Sequence, residues 1–286
     1  MTYREFGAPD ADRVVICVHG LTRNGRDFDT LAAALAEAGC RVVCPDIVGR
    51  GESSWLSDPA GYAFPQYLAD MTVLLARLEA EAVDWIGTSM GGLIGMTMAA
   101  QSGTAQSGTA QFGTPLRRLV LNDVGPFLPK AALARIGTYV GHDPRFANLE
   151  AAEAYVRDVH AGFGALADHE WRHLTEISVA AAEGGGGGEG GGEGEGALRL
   201  RYDPGIGAAF HAAPPEDVDL WAVWDRLTVP TLVLRGADSD LLLPETAAEM
   251  TRRGPRAELT EIAGCGHAPA LMDPAQVARV RDWLLG

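Results

Sequence analysis

Apolar residues follow two distinct patterns along the chain, and the first is a set of short, almost uninterrupted runs. These runs occupy residues 13–18, 41–44, 82–86, 116–122, 230–236 and 257–262. Runs of this kind are typical of strands that are buried on both faces of a parallel sheet. A weaker, alternating strand pattern at residues 2–7 precedes the first of them.

The second pattern is a helical spacing of apolar residues, and it alternates with the runs. Such stretches occupy residues 27–38, 65–78, 92–100, 244–253 and 274–285. Strands that alternate with helices indicate a parallel sheet covered by helices on both faces. The predicted fold class is therefore α/β.

The strand pattern is interrupted in the middle of the chain. Residues 149–163 and 168–182 give the clearest helical patterns there, and residues 198–202 give one short strand pattern. The interruption is too long for an ordinary loop. We therefore expect a core formed by residues 1–125 and 216–286, with a mainly helical insertion at residues 126–215.

Two stretches are of low complexity. Residues 101–105 are repeated as residues 106–110, with a partial third copy after them, and residues 184–196 are all glycine or glutamate. Glycine-rich and repetitive polar segments rarely pack into a core. We expect both stretches to be surface connections that carry no chemistry and can be shortened.

Composition excludes several classes of partner. The formal net charge is −15, which disfavours nucleic acid and anionic membrane surfaces. No apolar stretch approaches the ~20 residues of a spanning helix, and the N-terminus lacks a signal core, so a cytoplasmic location is expected. The four cysteines form no metal-binding spacing. Neither a metal nor a cofactor is predicted.

The sequence Gly87-Thr88-Ser89-Met90-Gly91 lies between a predicted strand and a predicted helix. A G-x-S-x-G pattern at such a junction is typical of a nucleophile elbow, in which a strained turn exposes the serine hydroxyl above the sheet. Ser89 is therefore the candidate nucleophile. Gly87 and Gly91 are expected where a side chain would collide with the neighbouring backbone.

Four further motifs accompany the elbow in a fixed order. They are His19-Gly20, Asp46…Gly49-x-Gly51-x-Ser53, Arg235-Gly236…Asp240 and Gly264-x-Gly266-His267. With Ser89, they resemble the α/β-hydrolase fold superfamily, of the capped serine esterase type, over nearly the whole chain. The resemblance implies a mostly parallel sheet flanked by helices, with a helical cap as the insertion. Since the fold usually has eight strands and few residues precede Arg13, we expect the family's first edge strand to be missing or vestigial.

The resemblance also implies a catalytic triad in the order serine, acid, histidine. His267 is the expected base. Asp240, on the loop after the 230–236 run, is the preferred acid, with Asp123 second and Asp238 third. The two that do not orient the histidine are expected to cap loops.

The family's oxyanion hole is built from two backbone N–H groups. By resemblance they belong to Leu21, after the His-Gly pair, and to Met90, after the nucleophile. His19 is expected to be a structural hydrogen-bonding residue rather than a second base. The loop around Asp46 is expected to brace the site.

These residues together predict hydrolysis of small carboxylic esters through an acyl-enzyme. Relatives with the same triad also act on C–C, lactone, amide or thioester bonds, and the fold does not choose among them. An alternative of another class is a ligand receptor with vestigial turnover. Multiple turnovers on simple p-nitrophenyl esters would separate the enzyme from the receptor. The natural substrate and the oligomeric state stay open at this stage.

Overall fold

The computed structural model describes residues 1–102, 115–182 and 197–286. Most of the repeated stretch and the whole of the 184–196 run lie outside these residues. The expectation that they are dispensable connections therefore stays a prediction.

The strands of the described residues are short and are numbered here in chain order. They are β1 (Tyr3–Phe6), β2 (Val14–Val18), β3 (Arg41–Pro45), β4 (Val83–Thr88), β5 (Leu116–Asn122), β6 (Phe127–Leu128), β7 (Arg145–Phe146), β8 (Val179–Ala181), β9 (Leu198–Leu200), β10 (Val218–Asp219), β11 (Thr231–Gly236) and β12 (Glu258–Ile262).

A central sheet contains seven of these strands, in the order β1-β3-β2-β4-β5-β11-β12. Only β1 runs antiparallel to its neighbour, and every other pair is parallel. Within the described residues this confirms a mostly parallel sheet that lacks an eighth strand. Each apolar run of the two end parts became a strand of this sheet.

Some helices of the described residues cover the sheet, and others form part of the segment inserted between β5 and β11. They are α1 (Asp29–Glu37), α2 (Phe64–Leu78), α3 (Met90–Ser102), α4 (Lys130–Gly137), α5 (Leu149–Val159), α6 (Asp168–Ser178), α7 (Ala208–His211), α8 (Trp221–Trp224), α9 (Pro244–Met250) and α10 (Pro274–Leu285). Of these helices, none is long and apolar enough to cross a bilayer.

Alternate residues of β2 pack into two separate hydrophobic layers. Val15 and Cys17 pack in a cluster with Leu31 of α1 and Val280 of α10. Ile16 belongs to the larger cluster, which includes apolar side chains of α2 and α3. Because successive residues of a strand point to opposite faces, the five buried residues of β2 connect both layers.

The segment between β5 and β11 is mainly helical but is not free of strands. β7, β9 and β8 form a small antiparallel sheet, and β6 pairs with β10. The predicted helix 168–182 ends at Ser178, where the chain enters β8. These strands have only two or three residues, so they are too short to produce a period in the sequence.

The carboxyl ends of β2, β4, β5 and β11 lie at one edge of the sheet, because these strands are parallel. In open α/β sheets, ligands bind beyond the carboxyl ends of the strands. A cavity lies at this edge between the sheet and the inserted segment. The loops after these strands supply the site described next.

Candidate active site

The turn between β4 and α3 has the strained geometry predicted for a nucleophile elbow. Ser89 has a φ of 52°, in the left-handed region that non-glycine residues rarely adopt. A Cβ on Gly91 would lie 2.0 Å from the carbonyl oxygen of Val18, and one on Gly87 would lie 2.4 Å from the backbone of Gly91. Gly91 is therefore required for the turn to sit this close to β2, and Gly87 is required for the turn to close on itself.

Ser89, His267 and Asp123 form one chain of hydrogen bonds. The Ser89 hydroxyl donates to Nε2 of His267 over 2.9 Å. Nδ1 of the same ring donates to Oδ2 of Asp123 over 2.7 Å. With Nδ1 carrying the proton, Nε2 has its lone pair directed at the serine, which is the arrangement a general base needs.

The Asp123 carboxylate is fully buried and is held by two further donors. The N–H of Gly236 donates to Oδ1 over 2.8 Å. The Ser239 hydroxyl donates to Oδ2 over 2.6 Å. These bonds satisfy the buried carboxylate oxygens and fix the direction of the carboxylate toward the histidine.

The expected acid, Asp240, does not contact His267, so the preference for it over Asp123 is corrected. Its carboxylate is half exposed and pairs with Arg135 of α4, through Nε at 2.5 Å and Nη2 at 2.9 Å. Although partial burial raises the pKa of Asp240, the Arg135 hydrogen bond lowers it below its ordinary value. Asp240 thus joins the β11 loop to the inserted segment.

The third candidate acid, Asp238, has no hydrogen bond to the histidine in the described parts of the chain either. It is exposed, and its backbone N–H bonds the carbonyl oxygen of Cys265. The β11 loop does serve the triad, but through Gly236 and Ser239 rather than through either aspartate. The strand before it in the sheet, β5, supplies the carboxylate.

The two residues predicted for the oxyanion hole flank Ser89. Leu21 and Met90 both line the cavity that contains the serine. A Cβ on Gly20 would lie 3.7 Å from that of Ser89, which places the Leu21 loop beside the nucleophile. Arg50, fully buried, donates from Nε to the Leu21 carbonyl oxygen over 2.8 Å and from Nη2 to the Met90 sulfur at 3.7 Å.

His19 has the geometry of a structural residue. Its Nδ1 donates to the Gly20 carbonyl oxygen over 2.7 Å, and its Nε2 accepts from the N–H of Ile47 over 3.0 Å. Burial lowers the pKa of His19 to about 4, although the charge of Asp46 opposes that shift. The ring is therefore neutral at pH 7, with both nitrogens already bonded.

The Asp46 loop braces the site through its carboxylate. Oδ1 accepts from the N–H of Gly25 and Oδ2 from the N–H of Glu52, each over 2.8 Å. A Cβ on Gly51 would lie 2.2 Å from Oδ2 of Asp46, so glycine is required at that point of the turn. The loop is thereby fixed where Arg50 reaches the oxyanion residues.

The cavity beside Ser89 has a volume of about 390 Å³. Its walls are mainly apolar, with side chains contributed by the sheet loops and by the inserted segment. These include Leu93, Leu128, Ile136, Phe163, Ile206 and Phe210. A cavity of this size and polarity is typical of a site for a small, largely apolar molecule.

Three cavity or support residues were missed by sequence reasoning. Ser239 orients the acid, and Arg23 and His160 line the cavity. Arg23 follows the His-Gly motif by a few positions, which is the one sequence feature that could have indicated it. The other two lie in segments whose pattern says nothing about which side chains reach the site.

Comparison with known proteins shows the family of the chain. Residues 15–280 match the alpha/beta hydrolase family. A 3-hydroxybutyrate-oligomer hydrolase of Cupriavidus necator is 45% identical over 291 aligned positions, which cover 100% of this chain and 93% of that protein.

Two solved structures share the fold over nearly the whole chain. An alpha/beta hydrolase from Novosphingobium aromaticivorans is 34% identical, with a TM-score of 0.82, and the match covers 99% of this chain and 93% of that one. A putative hydrolase from Rickettsia typhi is 31% identical, with a TM-score of 0.85, and covers 99% and 90%. This chain therefore belongs to the alpha/beta hydrolase family, and it is a carboxylic-ester hydrolase.

Proposed function

We propose that the protein hydrolyses short oligomers of 3-hydroxybutyrate through an acyl-enzyme on Ser89. The observation that carries the proposal is the continuous hydrogen-bond chain from Ser89 through His267 to Asp123 at the wall of an apolar cavity. The relative from Cupriavidus necator, whose name specifies such oligomers, supports the choice of substrate.

In the first half of the reaction, the Ser89 hydroxyl attacks the ester carbonyl while Nε2 of His267 takes its proton. The N–H groups of Leu21 and Met90 bind the oxyanion that develops, each contributing about 3 kcal/mol. The protonated His267 then gives its proton to the leaving alcohol as the C–O bond breaks.

In the second half, a water molecule attacks the acyl-enzyme and His267 takes its proton. The tetrahedral intermediate collapses, Ser89 recovers its proton, and the carboxylic acid leaves. Throughout, Asp123 holds the ring in the tautomer with the proton on Nδ1 and stabilises the imidazolium. Its buried bonds to Gly236 and Ser239 keep it from rotating away.

The cavity suits a 3-hydroxybutyrate unit, whose methyl branch and methylene are apolar. Such a unit carries polar groups only at its ester bonds and chain ends. The apolar walls would therefore bind the hydrocarbon parts, and the few polar groups would fix orientation.

We also propose that residues 126–215 act as a cap that shapes this cavity. Ile136 and Tyr139, in and just after α4, and Phe163, after α5, line it from the side opposite the sheet loops. The Arg135–Asp240 pair and the bond from Arg23 to Ser178 join the segment to the core. Exchange of cap residues should therefore change substrate preference more than the rate of the chemical step.

The direct test is turnover of the 3-hydroxybutyrate dimer and trimer by the wild-type chain and by Ser89→Ala. The variant should fold normally and lose activity by several orders of magnitude, because no other group can form the acyl-enzyme. Ser57→Ala, at an exposed serine, is the matched control and should keep full activity.

Two results would contradict the proposal. Activity that survives in Ser89→Ala would exclude the nucleophile. A single stoichiometric burst on every ester, with no steady state, would instead favour the ligand receptor.

A further inference from the structure

We propose that Arg23 and His160 form a carboxylate subsite that binds the free acid end of the substrate, next to the bond being cleaved. The enzyme would then remove units from the acid terminus of an oligoester. This inference rests on the proposed function, since it assigns the leaving side of the same reaction.

Arg23 is buried, and some of its N–H groups have no partner among the described residues. Its Nε and Nη2 bond the Asp27 carboxylate, at 2.9 and 2.6 Å, and Nη1 bonds the Ser178 hydroxyl at 2.6 Å. A guanidinium has five N–H groups, so these contacts leave two of them without a partner among the described residues. The side chain lines the cavity that contains Ser89.

His160 lies beside Arg23 and has no ring hydrogen bond within the described parts of the chain. Its ring stacks on Phe163, with centroids 4.6 Å apart, and the Arg23 guanidinium lies 5.8 Å from the centroid of that same phenyl ring. Burial lowers the pKa of His160 well below its ordinary value, and the charges of Arg23 and His267 add to that effect. The ring is thus neutral at pH 7 and offers one N–H.

The Arg23 guanidinium carries a permanent positive charge at this end of the cavity. Asp27, which lines the same cavity, is its ion-pair partner at 2.6 Å. The two N–H groups that Asp27 and Ser178 leave unpaired are therefore the donors available to a carboxylate.

Three other polar side chains that line the cavity have partners of their own. The Tyr62 hydroxyl donates to Asp203, the Tyr67 hydroxyl accepts from Arg50, and Arg135 pairs with Asp240. Arg23 and His160 together also line a small void next to the cavity, so they share one of its ends. The unpaired N–H groups of these two residues are thus at the same end.

The chemistry of a hydroxyacid ester places a carboxylate in this region. When the last ester bond of the oligomer is cleaved, the leaving alcohol is a 3-hydroxybutyrate. Its carboxylate carbon is three bonds from the ester oxygen, which is less than about 4 Å at bond lengths near 1.5 Å. His267 must reach that oxygen to protonate it, so the carboxylate lies close to His267.

A carboxylate taken into an apolar cavity needs strong donors to replace water. It is ionised at pH 7, since carboxyl pKa values are near 4. Arg23 and His160 supply charge-assisted and neutral N–H groups at the required end of the cavity. Asp27 holds the guanidinium in place without using all of its N–H groups.

The test compares the 3-hydroxybutyrate dimer with its terminal primary amide, which has nearly the same shape and no charge. Hydrolysis of the same internal ester is followed by chromatography. For the wild-type chain, kcat/KM should be at least about tenfold higher on the free acid, as expected for hydrogen bonds to a charged group. Arg23→Gln and His160→Phe should lower kcat/KM on the free acid far more than on the amide, so that the ratio of the two falls toward one.

Arg145→Gln is the matched control, since Arg145 is an exposed arginine of the inserted segment that pairs with Asp143. It should keep the wild-type preference. Because Arg23→Gln leaves Asp27 unpaired and can impair folding, His160→Phe provides an independent arm that keeps an aromatic ring on Phe163.

Two outcomes overturn the subsite. The wild-type chain could hydrolyse the acid and the amide with equal kcat/KM. Alternatively, the variants could lower kcat/KM equally on both substrates, which would make Arg23 and His160 purely structural. Both results leave Ser89-dependent ester hydrolysis intact. Failure of the proposed function differs, because then neither dimer would be turned over by the wild-type chain.

Discussion

Arg50 donates a hydrogen bond from Nε to the carbonyl oxygen of Leu21 over 2.8 Å, from a position with no exposed surface. The same guanidinium bonds the carbonyl oxygen of Val48 and the Tyr67 hydroxyl and reaches the Met90 sulfur. Within the described residues it has no carboxylate in salt-bridge contact. One side chain thereby contacts both residues of the proposed oxyanion hole, although it lies outside the triad.

Arg50→Lys should lower kcat by about 10- to 100-fold, because a lysine cannot keep bonds to Leu21, Val48 and Tyr67 at once and small displacements of an oxyanion donor are costly. The Ser89 hydroxyl should still react with an organophosphonate, although more slowly. Steady-state kinetics and labelling rates check this. A kcat equal to that of the wild-type chain would show that the oxyanion donors do not depend on Arg50.

Asp123→Asn should lower kcat by up to about 10⁴-fold, because an amide at this position favours the wrong tautomer of His267. Asp240→Asn is the matched control on the neighbouring loop. Since Asp240 and its partner Arg135 are both about half exposed, the loss of that pair should cost less than about 1 kcal/mol of stability and change kcat little. Kinetics on p-nitrophenyl butyrate, with thermal unfolding of each variant, measure both. The reverse ranking would return the role of acid to Asp240.

Ser239→Ala should lower kcat by about tenfold. The change removes the donor to Oδ2 of Asp123 and also frees the N–H groups of Leu241 and Leu242, which bond the same hydroxyl. Ser239→Thr keeps the hydroxyl and should restore most of the activity if the methyl group is accommodated. Equal loss in both variants would show that loop packing, rather than the hydroxyl, is what matters.

Stability should fall as the pH is lowered from 6.5 to about 4. Burial lowers the pKa of His19 to about 4 in the folded state, while an unfolded histidine titrates near 6.5. Between these values the unfolded chain binds the extra proton, so the stabilisation is present above pH 6.5 and is lost as the pH falls. From this residue alone the loss reaches about 3 kcal/mol.

Urea unfolding at a series of pH values measures this dependence. His19→Gln should reduce the slope, because the amide does not titrate yet can bond both Gly20 and Ile47. His169→Gln, at an exposed histidine, is the control and should keep the wild-type slope. An unchanged slope in His19→Gln would assign the pH dependence to other groups.

The sequence was sufficient for the central sheet and the elbow because both have strong local causes. Uninterrupted apolar runs have few structural alternatives. The two glycines around Ser89 are required because a Cβ at Gly91 or Gly87 would lie only 2.0 or 2.4 Å from neighbouring backbone atoms. The short strands β6 to β10 have no such pattern. They form because chain segments distant in sequence meet, and that information is not local.

The choice between Asp123 and Asp240 as the partner of His267 could not be predicted from the sequence for a different reason. Asp123 and Asp240 follow neighbouring parallel strands, so both loops reach the same edge of the sheet. Which carboxylate faces His267 depends on backbone direction at single residues, and Asp123 has a φ of 56° that turns its side chain at the strand end. A partner for Asp240 on α4 could not be read from the sequence either.

Because the proposed acid, Asp123, follows β5 rather than β11, the proposed triad is unequally divided along the chain. The nucleophile, the acid and both proposed oxyanion donors precede the inserted segment, and only the histidine comes from the far side of it, 178 residues after Ser89. The first 124 residues thus contain every proposed catalytic group except the histidine. Ester turnover therefore requires the part of the chain after the insertion to pack against the part before it, since that part brings His267 to Ser89.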